Sequence, residues 1–159
     1  MQNEDQALEE FNLKVKDVMT RSPLSLDVMV SVEEAAREME LCDCGCCLVE
    51  YKGRIVGIIT EKDIVRRIAA KGSSVRNTTV KAIMSSPIIA VEPEATLEDA
   101  LKTMASNRIK HLVVVDDEGL VGIVSIIDIA KALAVKAGRF SLLFNAILRQ
   151  NPTPKDIYT

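Results

Sequence analysis

Aromatic side chains are scarce in this chain, at 3% of 159 residues with no tryptophan. Its interior must therefore be packed from aliphatic side chains and methionine, without the large rings that often dominate cores. Histidine is limited to His111. That excludes a histidine-rich metal site and leaves any Ser/His/Asp triad one candidate base. No apolar run approaches the roughly 20 residues that cross a bilayer, so no membrane association is expected. An excess of one charge sign is also missing. Twenty basic and 23 acidic side chains give a formal charge of −3, which favours solubility and disfavours nucleic acid as a partner. The opening Met1-Gln2-Asn3-Glu4-Asp5 lacks the apolar stretch of a secretory signal. A cytoplasmic location is expected, and there cysteines are expected to remain thiols. No glycine-rich phosphate loop, nucleophile–base pair or metal triad is found. The chain is read as a non-enzyme, with no catalytic residue and no catalytic cofactor.

What the chain does contain is an internal repeat. A shift of 65 positions maps Val15, Lys16 and Met19 onto Val80, Lys81 and Met84. The same shift maps Glu33, Ala35 and Met39 onto Glu98, Ala100 and Met104, and Val56, Gly57 and Ile58 onto Val121, Gly122 and Ile123. Asp63 and Ile64 fall on Asp128 and Ile129. One local slip pairs Ser22-Pro23 with Ser86-Pro87. The expected organisation is an arm at 1–14, a first repeat at 15–79, a second at 80–144 that includes the start of a terminal helix, and a tail at 145–159. A final amphipathic stretch, Phe140 to Leu148, is read as that helix.

Each repeat reads as β-α-β-β-α. In the second, Ile88–Val91 is a short strand. Thr96 caps a helix carrying Leu97, Ala100, Leu101 and Met104 at helical spacing. His111–Val115 and Leu120–Val124 form a hairpin across Asp116-Asp117-Glu118-Gly119, and Ser125 caps a last helix. In the first, Leu24–Leu26 is the short strand and Ser31 caps the first helix. Cys47–Tyr51 and Arg54–Ile59 form the hairpin, and Thr60 caps a helix running to about Lys71. The hairpin strands are apolar on both faces, which suits burial between helices and a second sheet. The fold class is α/β (α+β), with two units expected to pack about a pseudo-two-fold axis.

Each unit opens with Val-x-x-(Val/Ile)-Met, at Val15–Met19 and Val80–Met84. Each closes with Gly-Ile, an apolar residue, (Thr/Ser)-x-x-Asp-Ile, at Gly57–Ile64 and Gly122–Ile129. These motifs resemble a tandem pair of CBS domains, a Bateman module, across about residues 15–137. The resemblance implies a stand-alone regulatory or sensor module. Its ligand would be adenosine-containing (AMP, ADP, ATP or S-adenosylmethionine), bound in clefts between the repeats. The implied partners are a second copy in a homodimer and a protein target regulated in trans.

The candidate ligand-contacting residues follow. Asp63 and Asp128 could each accept both hydroxyls of a ribose diol, while Thr60 and Ser125 join helix N-termini in meeting a phosphate. Ser/Thr-x-x-acid is equally a capping box, and each pair starts a helix. Gly57 and Gly122 would let the backbone approach a ligand or a neighbouring strand. The resemblance places basic residues for phosphate at Lys110 and His111, whose counterparts in the first repeat are Gly45 and Cys46. It also implies an adenine pocket lined by Pro23, Leu24, Pro87 and Ile88, and Ile58 and Ile123 of the closing motifs are further ligand-contact candidates. Met19 and Met84 are pocket wall or core filler.

All four cysteines fall in Cys42-Asp43-Cys44-Gly45-Cys46-Cys47. The spacing does not suit a standard zinc site, so no metal is assigned, and Cys42, Cys44, Cys46 and Cys47 stand only as secondary candidates. Cys44 and Cys47 align with Ile109 and Leu112, which reads as core, since free cysteine behaves as a small hydrophobe. The alternatives to a ligand sensor are a ligand-free scaffold for dimerisation and partner binding, with Phe140–Phe144 as an interface, and a cysteine-based redox or metal protein.

Overall fold

A computed structural model describes residues 13–136. The expected helix at Phe140–Leu148 and the apolar stretch Phe140–Phe144 lie outside the described residues. The helices are α1 (Val15–Val18), α2 (Val32–Leu41), α3 (Glu61–Arg67), α4 (Val80–Ile83), α5 (Leu97–Asn107) and α6 (Ile126–Lys136). The strands are β1 (Thr20–Arg21), β2 (Ser25–Asp27), β3 (Cys46–Tyr51), β4 (Arg54–Thr60), β5 (Ala90–Val91), β6 (His111–Asp116) and β7 (Gly119–Ser125). One sheet runs β2-β3-β4 and the other β1-β7-β6-β5. The chain divides into two bodies: residues 20–91 with 112–123, and the segments before, between and after them.

In the first body, β3 alternates between two cores. Cys47 and Val49 face Val32, Ala35 and Met39 of α2 and Val80 and Ile83 of α4. Cys46 and Leu48 face Val113 and Ile123 of the second sheet. A period of two sends neighbours to opposite faces, so Cys46 through Val49 are all buried. This explains the unbroken apolar run. In the second body, Val15 of α1, Leu97, Ala100 and Met104 of α5 and Ile129 of α6 are buried. There Ser125 and Asp128 close a capping box at the start of α6.

The opening segments α1 and α4 are short helices, which the strand-centred reading did not anticipate. Each is held by the other repeat. Val15 N–H donates to Ala95 O at 3.0 Å and Lys16 N–H to Pro93 O at 2.9 Å. Shifted by 65, the same bonds recur with the copies exchanged: Val80 N–H to Val30 O at 2.8 Å and Lys81 N–H to Val28 O at 3.2 Å. The β1–β7 pairing, Thr20 opposite Ile123, likewise has its counterpart in the Ile58–Ser85 bridge. Reciprocal exchange of segments makes each repeat depend on its twin.

Three expectations are corrected. The short strand of the second repeat is Ala90–Val91, not Ile88–Val91. The helix after Thr60 stops at Arg67 and gives way to a 3-10 turn at Ala69–Lys71. Cys42 and Cys44 are not core. They lie at the end of α2, ahead of β3, joined to each other in a disulfide rather than left as thiols. Only Cys46 and Cys47 are buried.

Candidate functional site

The two closing motifs build the same local structure. At Thr60 the backbone N–H and the hydroxyl donate to Asp63 Oδ2, at 2.9 and 2.7 Å, and Asp63 N–H donates back to Thr60 Oγ1 at 3.3 Å. At Ser125 the matching distances are 2.8, 2.6 and 3.1 Å. Both carboxylates are therefore helix caps, satisfying donors that the first turn leaves unpaired. Ser31 and Thr96 cap α2 and α5 with the hydroxyl alone accepting from the backbone, from Glu34 N–H at 3.1 Å and Asp99 N–H at 3.0 Å.

The two aspartates differ in what the second oxygen does. Asp63 is buried, at 9% exposure. Its Oδ1 accepts from Ser85 Oγ at 3.4 Å and lies 3.4 Å from Arg67 Nη2. Arg67 is pinned in turn, donating to Ile83 O at 2.5 Å, Met84 O at 2.9 Å and Ser85 Oγ at 3.2 Å. In the second repeat the residue 65 positions beyond Arg67 is Ala132. Asp128 is half-buried, and among the described residues no hydrogen bond is made to its Oδ1. The first carboxylate thus has an ion pair within its own repeat, and among the described residues the second keeps an acceptor to spare. Arg67 and Ser85 are partners of Asp63 that the motif reading does not include. The available signal was Arg67 one helical turn after Asp63, with no counterpart in the other copy.

Gly57 is where a side chain would collide. A Cβ there would stand 2.6 Å from Met84 Sδ and 3.1 Å from Ser85 O. The bare backbone allows the Ile58–Ser85 bridge, with N–H to O distances of 3.1 and 2.8 Å. Of the two roles expected for this glycine, the neighbouring segment is the one in view. Gly122 faces Arg21 in the β1–β7 pair.

Lys110 is exposed and immediately precedes β6, which His111 begins. Lys110 O accepts from Ile126 N–H at 3.0 Å. That bond ties the Lys110-His111 strand entrance to the first turn of α6, close in sequence to Ser125 and Asp128. The corresponding bond in the first repeat is Glu61 N–H to Gly45 O at 3.3 Å, with no cation at Gly45 or Cys46. Leu24 commits its carbonyl to Leu48 N–H at 2.8 Å and packs against the α2/α4 core. Ile58 and Ile88 pack in the inter-sheet core, to which Ile123 belongs. Pro23 is half-buried and Pro87 exposed. Met84 packs on the α2/α4 core.

Among the described residues no group of three or more His, Cys, Asp or Glu converges as a metal site. The four secondary cysteine candidates do not gather: Cys46 and Cys47 turn to opposite faces of β3, and Cys42 is bonded to Cys44. No helix among the described residues is long and apolar enough to cross a membrane. A separate cavity of about 420 Å³ opens between α2 and α3, lined by Met39, Glu40, Cys44, Glu61 and Val65 among others.

Reciprocal β-α-β-β-α units with a capped Thr/Ser-x-x-Asp in each define a tandem-repeat regulatory fold. The model of the CBS domain matches residues 15–70 and 80–135, and the chain belongs to the CBS-domain family. It is 35% identical over 116 residues to CBS domain-containing protein YhcV of Bacillus subtilis, a match spanning 73% of this chain and 82% of that protein. An uncharacterized conserved protein from Pyrococcus horikoshii superimposes with a TM-score of 0.72 and 32% identity, covering 77% of this chain and 92% of that one. The CBS domain pair of protein MJ0100, solved with 5′-methylthioadenosine and S-adenosyl-L-methionine, matches with a TM-score of 0.69 and 26% identity, covering 78% and 98%.

Proposed function

We propose that the chain is a non-enzymatic sensor, a tandem of repeats at 15–79 and 80–144, that binds an adenosine-containing ligand and relays its occupancy to a protein target. The candidates are AMP, ADP, ATP and S-adenosylmethionine. Binding of adenosyl compounds by the CBS pair of MJ0100 supports the class. The observation that carries the reading is the unequal state of the two aspartates. Among the described residues Asp128 keeps an uncommitted oxygen, in the helix turn that the Ile126 N–H to Lys110 O bond ties to the strand entrance, whereas Asp63 is taken up by Arg67 and Ser85. A carboxylate with a spare acceptor suits a ribose diol, and cations suit a phosphate tail. Ser125, Asp128, Lys110 and His111 are therefore assigned the polar part of the ligand. Pro23, Leu24, Pro87, Ile88, Ile58 and Ile123 stay candidate adenosyl contacts within the first body, as do Thr60 and Asp63.

The module acts as a cytoplasmic homodimer on a target in trans. Occupancy shifts the population between two arrangements of the repeats, which requires that the ligand bind them unequally. Calorimetry of nucleotide-stripped protein with AMP, ATP and S-adenosylmethionine tests this. Saturable heat with at least one of them is expected, and no heat with any of the three overturns the proposal.

A further inference from the structure

The cysteine run is the part of the sequence that ligand binding leaves unused. Its four cysteines fall into two classes. Cys46 and Cys47 are buried in β3, and burial, followed by the neighbouring Cys46, pushes the Cys47 thiol up to about 12. So little thiolate near neutral pH leaves Cys47 inert. Cys42 is exposed and Cys44 half-buried, and the two are joined.

The backbone sets up this pair independently of the bond. Cys42 N–H donates to Glu38 O at 3.1 Å, closing the end of α2. Asp43 is left-handed, with φ 52°, a conformation that aspartate tolerates better than most residues. Cys44 N–H then donates back to Met39 O at 2.9 Å. The chain reverses at Asp43 and sets the two Cα atoms 5.2 Å apart, well inside bridging range. Each sulfur also has a carbonyl within reach: Cys42 Sγ lies 3.5 Å from Met39 O and Cys44 Sγ 3.4 Å from Cys42 O. The dithiol is accommodated by the same turn.

A bond across a single residue is a poor staple. The loop it closes is among the shortest a chain can make, so it restricts the unfolded state very little. Its reactivity is the more informative property. Asp43 and Cys44 line the cavity between α2 and α3, about 420 Å³ in volume and open to solvent, so an attacking thiol has a path to the bond.

We propose that Cys42 and Cys44 form a reversible thiol–disulfide exchange site for a dithiol reductant. A thiolate of the reductant attacks one of the two sulfurs. The Cys42–Cys44 bond breaks, a mixed disulfide forms, and the released cysteine sulfur takes up a proton. The second thiol of the reductant, as its thiolate, attacks its own sulfur in the mixed disulfide. The other cysteine leaves and is protonated, and the reductant departs as a cyclic disulfide. Two electrons and two protons pass to the protein, and oxidation reverses every step. Cys46 and Cys47 take no part.

The test equilibrates the full-length protein with defined ratios of reduced and oxidised dithiothreitol. Native alkylation with iodoacetamide and peptide mass spectrometry follow. The expected result is one transition in which Cys42 and Cys44 gain label together, with Cys46 and Cys47 labelled only after denaturation. The double variant C42S/C44S is expected to show no ratio-dependent labelling and an unchanged far-UV spectrum and melting temperature. Three results would each overturn the proposal: Cys42 and Cys44 free at every ratio, a bond that dithiothreitol reduces only after unfolding, or a transition that pairs Cys46 or Cys47.

Discussion

Replacing Asp63 and Asp128 by alanine, one at a time, separates structural from ligand-directed use of the same motif. Asp63→Ala removes acceptors for the Thr60 amide and hydroxyl and for Ser85. It also removes the carboxylate 3.4 Å from the Arg67 guanidinium, which keeps its bonds to Ile83 O, Met84 O and Ser85 Oγ. Loss of a helix cap costs about 1 kcal/mol. A buried carboxylate with several donors adds about 1–2 kcal/mol. The ion pair adds little, because the Arg67 side chain is 40% exposed and solvent screens it. The total is about 2–3 kcal/mol, or a fall of roughly 5–10 °C in melting temperature for a domain of this size. Asp128→Ala loses the cap alone, about 1 kcal/mol and roughly 2–4 °C.

Ligand affinity should move the other way. If Asp128 holds the ribose, its loss removes charge-assisted bonds and weakens binding roughly 10- to 100-fold. Asp63→Ala should leave affinity within about threefold once the protein is folded at the assay temperature, a change of under ~1 kcal/mol. Differential scanning fluorimetry and calorimetry on both variants give the two readouts. Equal melting shifts for the pair, or an affinity loss confined to Asp63→Ala, would refute the asymmetry argument.

Replacing Lys110 and His111 together by glutamine should weaken AMP or ATP binding at least tenfold. It should also reduce the salt dependence of that binding, measured by titration at two ionic strengths, because screening acts on charge pairs. Adenosine binding should be unaffected, and an equal loss for adenosine would point to a folding defect. Gly57→Ala places a Cβ against Met84 Sδ and Ser85 O. It should cost about 1–3 kcal/mol by urea denaturation, as overpacking usually does. The Cys47 thiol is raised to about 12 by burial, so the folded state holds its proton where the unfolded chain has released it. The stabilisation is complete below about pH 8.5 and is lost as pH rises through about 12, by on the order of 1 kcal/mol per pH unit. Cys47→Val should remove that part of the alkaline slope in denaturation measured at pH 8 and pH 10, and an unchanged slope would assign it to other groups.

Much of the fold could be read in advance because the chain states it twice. Helical spacing located α2 and α5, and apolar runs broken by turn residues located both hairpins. The apolar run in β3 announced burial on two faces, and the structure supplies the two cores. The short opening helices were not legible, because four residues give no period to detect. Their hydrogen bonds run to the other repeat, some 80 residues away for Val15 and 50 for Val80. Alignment with Ile109 suggested that Cys44 would be core. The alignment is sound, but α2 ends just before Cys42 and the chain reverses at Asp43, so the side chain never enters the strand. Thr60 with Asp63, and Ser125 with Asp128, are joined as capping boxes, which the Ser/Thr-x-x-acid spacing makes legible. The partner of Asp63 went unseen because it sits on the solvent side of α3 by sequence pattern and reaches Ile83, Met84 and Ser85 only through the tertiary fold.

The duplication also separates two kinds of constraint within a single sequence. A position alike in both copies answers to what both copies share, and that is the fold. The hydroxyl and the aspartate of the closing motif belong to this group, and capping alone explains them in each repeat. Their presence therefore carries little information about a ligand. Positions 65 residues apart that differ in charge carry more. Arg67 stands against Ala132, and Gly45-Cys46 against Lys110-His111. Each exchange acts in the same direction: the first repeat supplies its own cation to its aspartate, and the second has an aspartate with one oxygen unbonded among the described residues, on a helix turn tied by Ile126 N–H to Lys110 O. A ligand bearing both a diol and an anionic tail would be favoured by the second arrangement and would have to displace Arg67 in the first. Arg67→Ala should then convert the first half-site toward the second, at the cost of leaving Asp63 buried without its cation. A second, weaker binding event in calorimetry of that variant is the expected sign, and its absence would place the discrimination in Lys110 and His111 alone.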